Sequence, residues 1–160
     1  MAEQKTNVMR LLEQKKIKYT AHGYPHGDEA VDGVTVAEMT GQDPARVFKT
    51  LVARGASKRI YVFVIPVAME LELKKAAKAA GEKSVAMIHV SELNGLTGYV
   101  RGGCSPIGMK KLFPSFYHSS ITEQETIMVS AGKIGAQVEL RPEDLISLTR
   151  GKIADIAAKG

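Results

Sequence analysis

Apolar positions recur at helical spacing near the start of the chain. Val8, Leu11 and Leu12 fall on one face, Thr6 is a usable N-cap and lysines close the last turn, so a helix is predicted over Thr6 to Lys16. Ile17 to Ala21 alternates like a short strand, and His22-Gly-Tyr-Pro-His-Gly reads as a turn. Thr35-Val-Ala-Glu38 has capping-box spacing and predicts a short helix ending near Gly41. Two runs rich in β-branched and aromatic residues follow, Val47 to Ala53 and Ile60 to Ile65. The polar Arg54 to Arg59 between them predicts a hairpin, which Pro66 stops because proline cannot donate to the ladder.

The clearest helical pattern covers Glu70 to Ala80, where Leu73, Ala76, Ala77 and Ala80 share a face and Gly81 can form the C-cap. Val85 to Ile88 reads as a strand, Ser91 to Asn94 as one helical turn, and Tyr99 to Arg101 as a strand entering a glycine loop. Further strands are expected around Phe116, at Ile127 to Val129 and at Ala136 to Leu140, the last two split by a turn over Ser130 to Gly135. Pro142 suits the first position of a last helix. Helices and short strands alternate without a strict βαβ rhythm. The expected class is therefore α+β: one domain over residues 1–160, with a curved, barrel-like mixed β-sheet flanked by helices.

Composition narrows the functions. Hydrophobic residues make up 44% and charged residues 24%, which fits a globular chain and argues against disorder. Charges or glycines interrupt each apolar run before it reaches membrane-spanning length, and the N-terminus lacks a secretory pattern, so a cytoplasmic location without membrane association is expected. The single cysteine cannot form an internal disulfide. The four histidines, His22, His26, His89 and His118, form no recognisable metal-binding spacing, and neither a metal nor a cofactor is expected. A net charge of +5 favours an anionic partner.

Lys49 shares a strand face with Val47, Leu51 and Ala53. Two readings are open: a lysine on an edge strand snorkelling to solvent, or one aimed at a phosphate or carbonyl oxygen in a concave site. Gly102-Gly103-Cys104-Ser105-Pro106-Ile107-Gly108 and Ser130-Ala-Gly-Lys-Ile-Gly135 are glycine-bearing loops that each follow an apolar strand. Their backbone N–H groups could converge on an anion or a developing oxyanion, although such a loop taken alone is more often a tight turn than a binding site. No local signature supplies a base for Cys104, which reads as a small residue filling a gap. Arg101, Lys110 and Lys111 flank the first loop and could attract a nucleic acid.

Taken together, Val47-Phe-Lys-Thr-Leu51, Gly98 to Gly108 and Val129 to Gly135 resemble the YbaK/EbsC family of Cys-tRNA(Pro) deacylases, relatives of the editing domain inserted in bacterial prolyl-tRNA synthetases. The resemblance spans nearly the whole chain. It implies a free-standing enzyme that hydrolyses the ester joining a mischarged amino acid, typically cysteine, to tRNA(Pro), with prolyl-tRNA synthetase as a possible partner. By this resemblance Lys49 is the key functional residue, and Gly102 and Gly103 orient the substrate carbonyl. The resemblance implies that Tyr24, Thr50, Ser105, Pro106, Gly108, Ser130, Ala131 and Gly132 contact the substrate, and the charge of Arg101, Lys110 and Lys111 is expected to attract the tRNA. The family pattern places acidic residues where this chain has Gln137 and Tyr117-His118. A substrate whose own thiol attacks its ester would make Cys104 a bystander. The competing readings are a non-catalytic tRNA or synthetase binder of the same fold and a cysteine-dependent hydrolase.

Overall fold

The computed structural model describes residues 5–27 and 29–159. The Thr6 hydroxyl accepts from Met9 N and starts α1 (Asn7–Gln14), whose Val8 and Leu12 are fully buried. β1 (Thr20–Gly23) follows, shifted a few residues beyond the expected strand. Next come α2 (Gly33–Met39), β2 (Phe48–Gly55), β3 (Ile60–Pro66), β4 (Met69–Leu71) and α3 (Leu73–Ala80). The cap of α2 is Asp32, whose carboxylate accepts from Thr35 N, and not Thr35 itself. Gly81 ends α3 in the left-handed region, as the sequence pattern requires.

The second half adds β5 (Val85–Met87), α4 (Val90–Thr97), β6 (Ser115–His118), a 3-10 turn (Ser119–Glu123), β7 (Ile127–Lys133), β8 (Ala136–Leu140), α5 (Pro142–Thr149), β9 (Lys152–Ala154) and β10 (Ala157–Lys159). Two expectations are corrected here. The helical turn at Ser91 extends to two turns as α4, and Tyr99 to Arg101 is irregular, not a strand. Tyr99 N bonds the Thr97 hydroxyl, and Gly103 N bonds Val100 O, which folds the segment into a turn.

The strands form a mixed five-stranded sheet, β5-β2-β3-β6-β9, an antiparallel three-stranded sheet, β1-β8-β7, and the pair β10-β4. An isolated parallel bridge between Val47 and Met128 joins the first two, so the sheet curves without closing into a barrel among the described residues. One core lies under α1 and includes Phe48, Val52, Val62, Val64, Tyr117, Val129 and Val138. A second core packs α3 against Phe63, Ile65 and Phe116, with the Phe63 and Phe116 rings stacked at 5.6 Å.

This topology makes an opening. β3 pairs along β2 from Phe48 to Arg54, whereas β5 reaches only Ala53 to Gly55 on the opposite edge. β7 touches that edge through Val47. Between these contacts Lys49, Thr50 and Leu51 have no neighbouring strand on that side, and a cleft forms there.

Candidate functional site

The cleft has a volume of about 900 Å³. Its walls are the segment Glu29 to Gly33 with Tyr24, the start of β2 from Phe48 to Leu51, the turn around Gly102, and Ser130, Ile134 and Gln137 of the β7–β8 hairpin. Cross-strand pairing puts Ser130, Gln137 and His22 on one face, opposite the buried Val129 and Val138.

Lys49 and Arg101 both line the cleft, and neither forms an ion pair with any described residue. Glu29 and Asp32 lie on its wall as well, so it presents charges of both signs. Thr50 Oγ1 and Gln137 Oε1 are the buried side-chain polar atoms with no hydrogen-bond partner among the described residues, and both residues line this cleft. Buried polar groups are overwhelmingly satisfied in native proteins, and an orphan costs about 1–3 kcal/mol. Two orphans in one cleft indicate a surface built to meet a polar ligand.

The glycines bring backbone close to backbone. Gly102 sits at φ +85°, and a Cβ there would lie 2.7 Å from the Ala30 methyl. A Cβ at Gly103 would lie 2.9 Å from the Lys133 backbone, so this turn packs directly on the end of β7. Gly103 N–H is consumed by Val100 O at 2.9 Å. Gly102 lines the cleft and its N–H has no acceptor among the described residues, which leaves it as the amide of the pair able to serve a ligand.

Tyr24, buried and hydrogen-bonded through its N–H to Gly135 O, lines the cleft and meets His26 edge to face. Ser130 lines it too, its hydroxyl accepting from Gly132 N at 3.1 Å. Cys104 is on the wall, but burial pushes its thiol up to about 12, so it carries a neutral S–H at neutral pH and is a poor nucleophile.

The remaining expected residues lie outside the cleft. Ser105 is fully buried, its hydroxyl accepting from Ile107 N, and it braces the loop. Ala131 belongs to the main core, and Gly132 is pressed against Tyr99 and Val8. Pro106, Gly108 and Lys111 line a separate groove of about 180 Å³ with Leu11, Met109 and Phe113. Lys110 is exposed and reaches Gly95 O at 3.4 Å. Chain proximity in the loop concealed this split, because Tyr99 OH bonds Ile107 O and turns the later half inward. Sequence reading missed Gln137 as a wall residue and the whole Glu29 to Gly33 segment. The readable signals were the Asp32 cap and the alternation of Ala136 to Leu140, which puts Gln137 opposite Ser130.

A curved mixed sheet with a polar cleft at this position defines an α+β ligand-binding domain. Residues 28–148 match the aminoacyl-tRNA editing domain, and the chain belongs to that family. A protein of Enterococcus faecalis (strain ATCC 700802 / V583), EbsC, is 47% identical over 157 residues, covering 98% of this chain and 96% of its own length. Its name gives it as a candidate Cys-tRNA(Pro)/Cys-tRNA(Cys) deacylase. Two solved structures share the fold. One, titled a candidate trans-editing enzyme for prolyl tRNA synthetase, superposes with a TM-score of 0.82 at 22% identity and covers 98% of this chain and 99% of its own. The other, the hypothetical protein APE2540, has a TM-score of 0.84 at 20% identity, covering 94% and 99%.

Proposed function

We propose that this protein is a trans-editing deacylase that hydrolyses the aminoacyl ester of mischarged tRNA, with Cys-tRNA(Pro) as its substrate. The observation that carries the reading is the cleft itself, where, among the described residues, Lys49 and Arg101 have no ion-pair partner and two buried polar atoms have no hydrogen-bond partner. An aminoacyl-tRNA end brings a phosphate, a ribose and an activated ester into one concave site. Lys49 holds the phosphate or ribose end, Arg101 adds attraction at the rim, and Gly102 N–H orients the carbonyl. Tyr24, Thr50 and Ser130 complete the contacts, while Ser105, Ala131 and Gly132 hold the loops that shape the cleft.

An ester of this kind needs positioning and oxyanion stabilisation more than a strong base. With cysteine, the substrate sulfur attacks its own carbonyl, the C–O bond to the ribose breaks, and the 3′ oxygen leaves with a proton. The resulting four-membered thiolactone then takes up water to give free cysteine. The neutral Cys104 thiol has no part in this scheme. On this reading the protein works in the cytoplasm, on mischarged substrate that prolyl-tRNA synthetase supplies. None of the described helices is long and apolar enough to cross a membrane.

The test is release of amino acid from Cys-tRNA(Pro), Ala-tRNA(Pro) and Pro-tRNA(Pro). Wild type is expected to release cysteine and Lys49→Ala to lose at least about 100-fold in kcat/KM, a loss of about 2.7 kcal/mol of transition-state stabilisation. Binding of these tRNAs without any hydrolysis would make the protein a tRNA-binding module instead.

A further inference from the structure

The geometry points to Gln137 as the residue that selects the amino-acid moiety, its amide oxygen accepting a hydrogen bond from the primary α-ammonium group of the ester. This inference rests on the deacylase reading above and adds to it a residue and a recognised group.

Gln137 is 7% exposed, lies on the cleft face of β8 and leaves Oε1 without a partner among the described residues. An amide oxygen is an acceptor only, so what it lacks is a donor. Thr50 Oγ1, also unpartnered, lies on the wall of the same cleft. The terminal torsion of a glutamine is soft and two-fold, so the carbonyl can turn into the cleft when a donor arrives.

The charges of the cleft identify that donor. Lys49 and Arg101 suit the anionic nucleotide end, while the only cation an aminoacyl ester brings is its ammonium group. The carboxylates of Glu29 and Asp32 on the same wall provide the favourable field for a cation. A thiol is too weak a donor to offset the desolvation of a buried amide, whereas N⁺–H bonds are the strong charge-assisted class. Cysteine and alanine carry three such N–H groups. Proline carries two, and its ring closes the third direction. A site that hydrogen-bonds a substrate group rejects an analogue lacking it far more strongly than an apolar pocket can, because its own polar atoms stay unpaired.

The experiment compares wild type, Gln137→Met and Gln137→Glu on two substrates, Cys-tRNA(Pro) and the 3-mercaptopropionyl ester of the same tRNA, which keeps the thiol and lacks the amine. Wild type is expected to prefer the cysteinyl ester by about 10- to 100-fold in kcat/KM. Gln137→Met is expected to lose most of that preference by slowing only on the cysteinyl ester, and Gln137→Glu to retain it. Gln137→Met should also unfold at a urea concentration no lower than wild type, since the oxygen it removes has no partner. Equal discrimination by wild type and Gln137→Met, or an equal loss on both esters, would overturn the assignment. A wild type that hydrolyses neither ester overturns the deacylase reading and this inference with it.

Discussion

Glu139 offers the sharpest test of how the cleft walls are held. Its carboxylate accepts from His22 Nε2 at 2.8 Å, Arg46 Nη2 at 2.7 Å and the Thr126 hydroxyl at 2.5 Å. These donors come from β1, from the residues before β2 and from the residue before β7, so one carboxylate ties together three segments bordering the cleft. Glu139→Ala removes the acceptor and leaves Arg46 and His22 without it. Hydrogen bonds to charged groups contribute about 1.5–3 kcal/mol each, but such a cluster is not additive. The side chains are 20% exposed at Glu139, 24% at His22 and 33% at Arg46, so water partly compensates their loss. We expect a net cost of about 3 kcal/mol, which for a chain of this size lowers Tm by about 6–12 °C. The pH dependence is a second signature. The Thr126 hydroxyl first, then the His22 bond and the Arg46 charge, hold the Glu139 carboxyl below its ordinary value. A depressed carboxylate contributes stability above its unfolded pKa of about 4.3 and loses it as pH falls through the folded value. Urea unfolding of wild type and Glu139→Gln should therefore differ at pH 7, and the gap should shrink as pH falls below about 4.3. A Glu139→Ala cost under about 1 kcal/mol, or a wild-type to Glu139→Gln gap unchanged at low pH, would refute the reasoning.

Two further outcomes follow from the site. Cys104→Ala should keep kcat/KM on Cys-tRNA(Pro) within about threefold of wild type, and the native thiol should react with iodoacetamide far more slowly at pH 8 than free cysteine, because its pKa is raised to about 12 by burial. A loss beyond about 100-fold would instead make Cys104 the nucleophile. For the electrostatics, Arg101→Gln should reduce the slope of log affinity for tRNA against log salt by about 1, since one phosphate contact is removed, and an unchanged slope would take Arg101 out of the tRNA interface.

The sequence was legible wherever local pattern and tertiary need coincide. The β2–β3 hairpin, α3 with its Gly81 cap and the Pro142 start of α5 were all readable from periodicity and capping residues. The three-residue strands β4, β9 and β10 were not, because each exists only through a distant partner: Met69–Leu71 pairs with Ala157–Lys159, and Lys152–Ala154 with β6. Tyr99 to Arg101 has the composition of a strand, yet side-chain capping by Thr97 diverts it.

The candidate site shows the same division at finer grain. Lys49 could be singled out as an ammonium on an apolar strand face, but whether it met solvent or a cleft depended on where β5 stops alongside β2, which no local pattern encodes. The loop from Gly102 to Gly108 looked like one functional unit. In the fold its first residue faces the cleft, its cysteine is silenced by burial and its last residues serve a separate groove. Gln137 stood out only as a departure from the family pattern, and its place on the cleft wall was not legible for the opposite reason. A polar residue in an alternating strand is ordinarily the solvated face, and only the pairing of β8 with β7, which bridges to Val47 just before β2, turns that face into a cleft wall. Residues that act on a ligand are thus marked by chemistry left unsatisfied in the folded state, a property that arises from the assembled walls and not from any one segment.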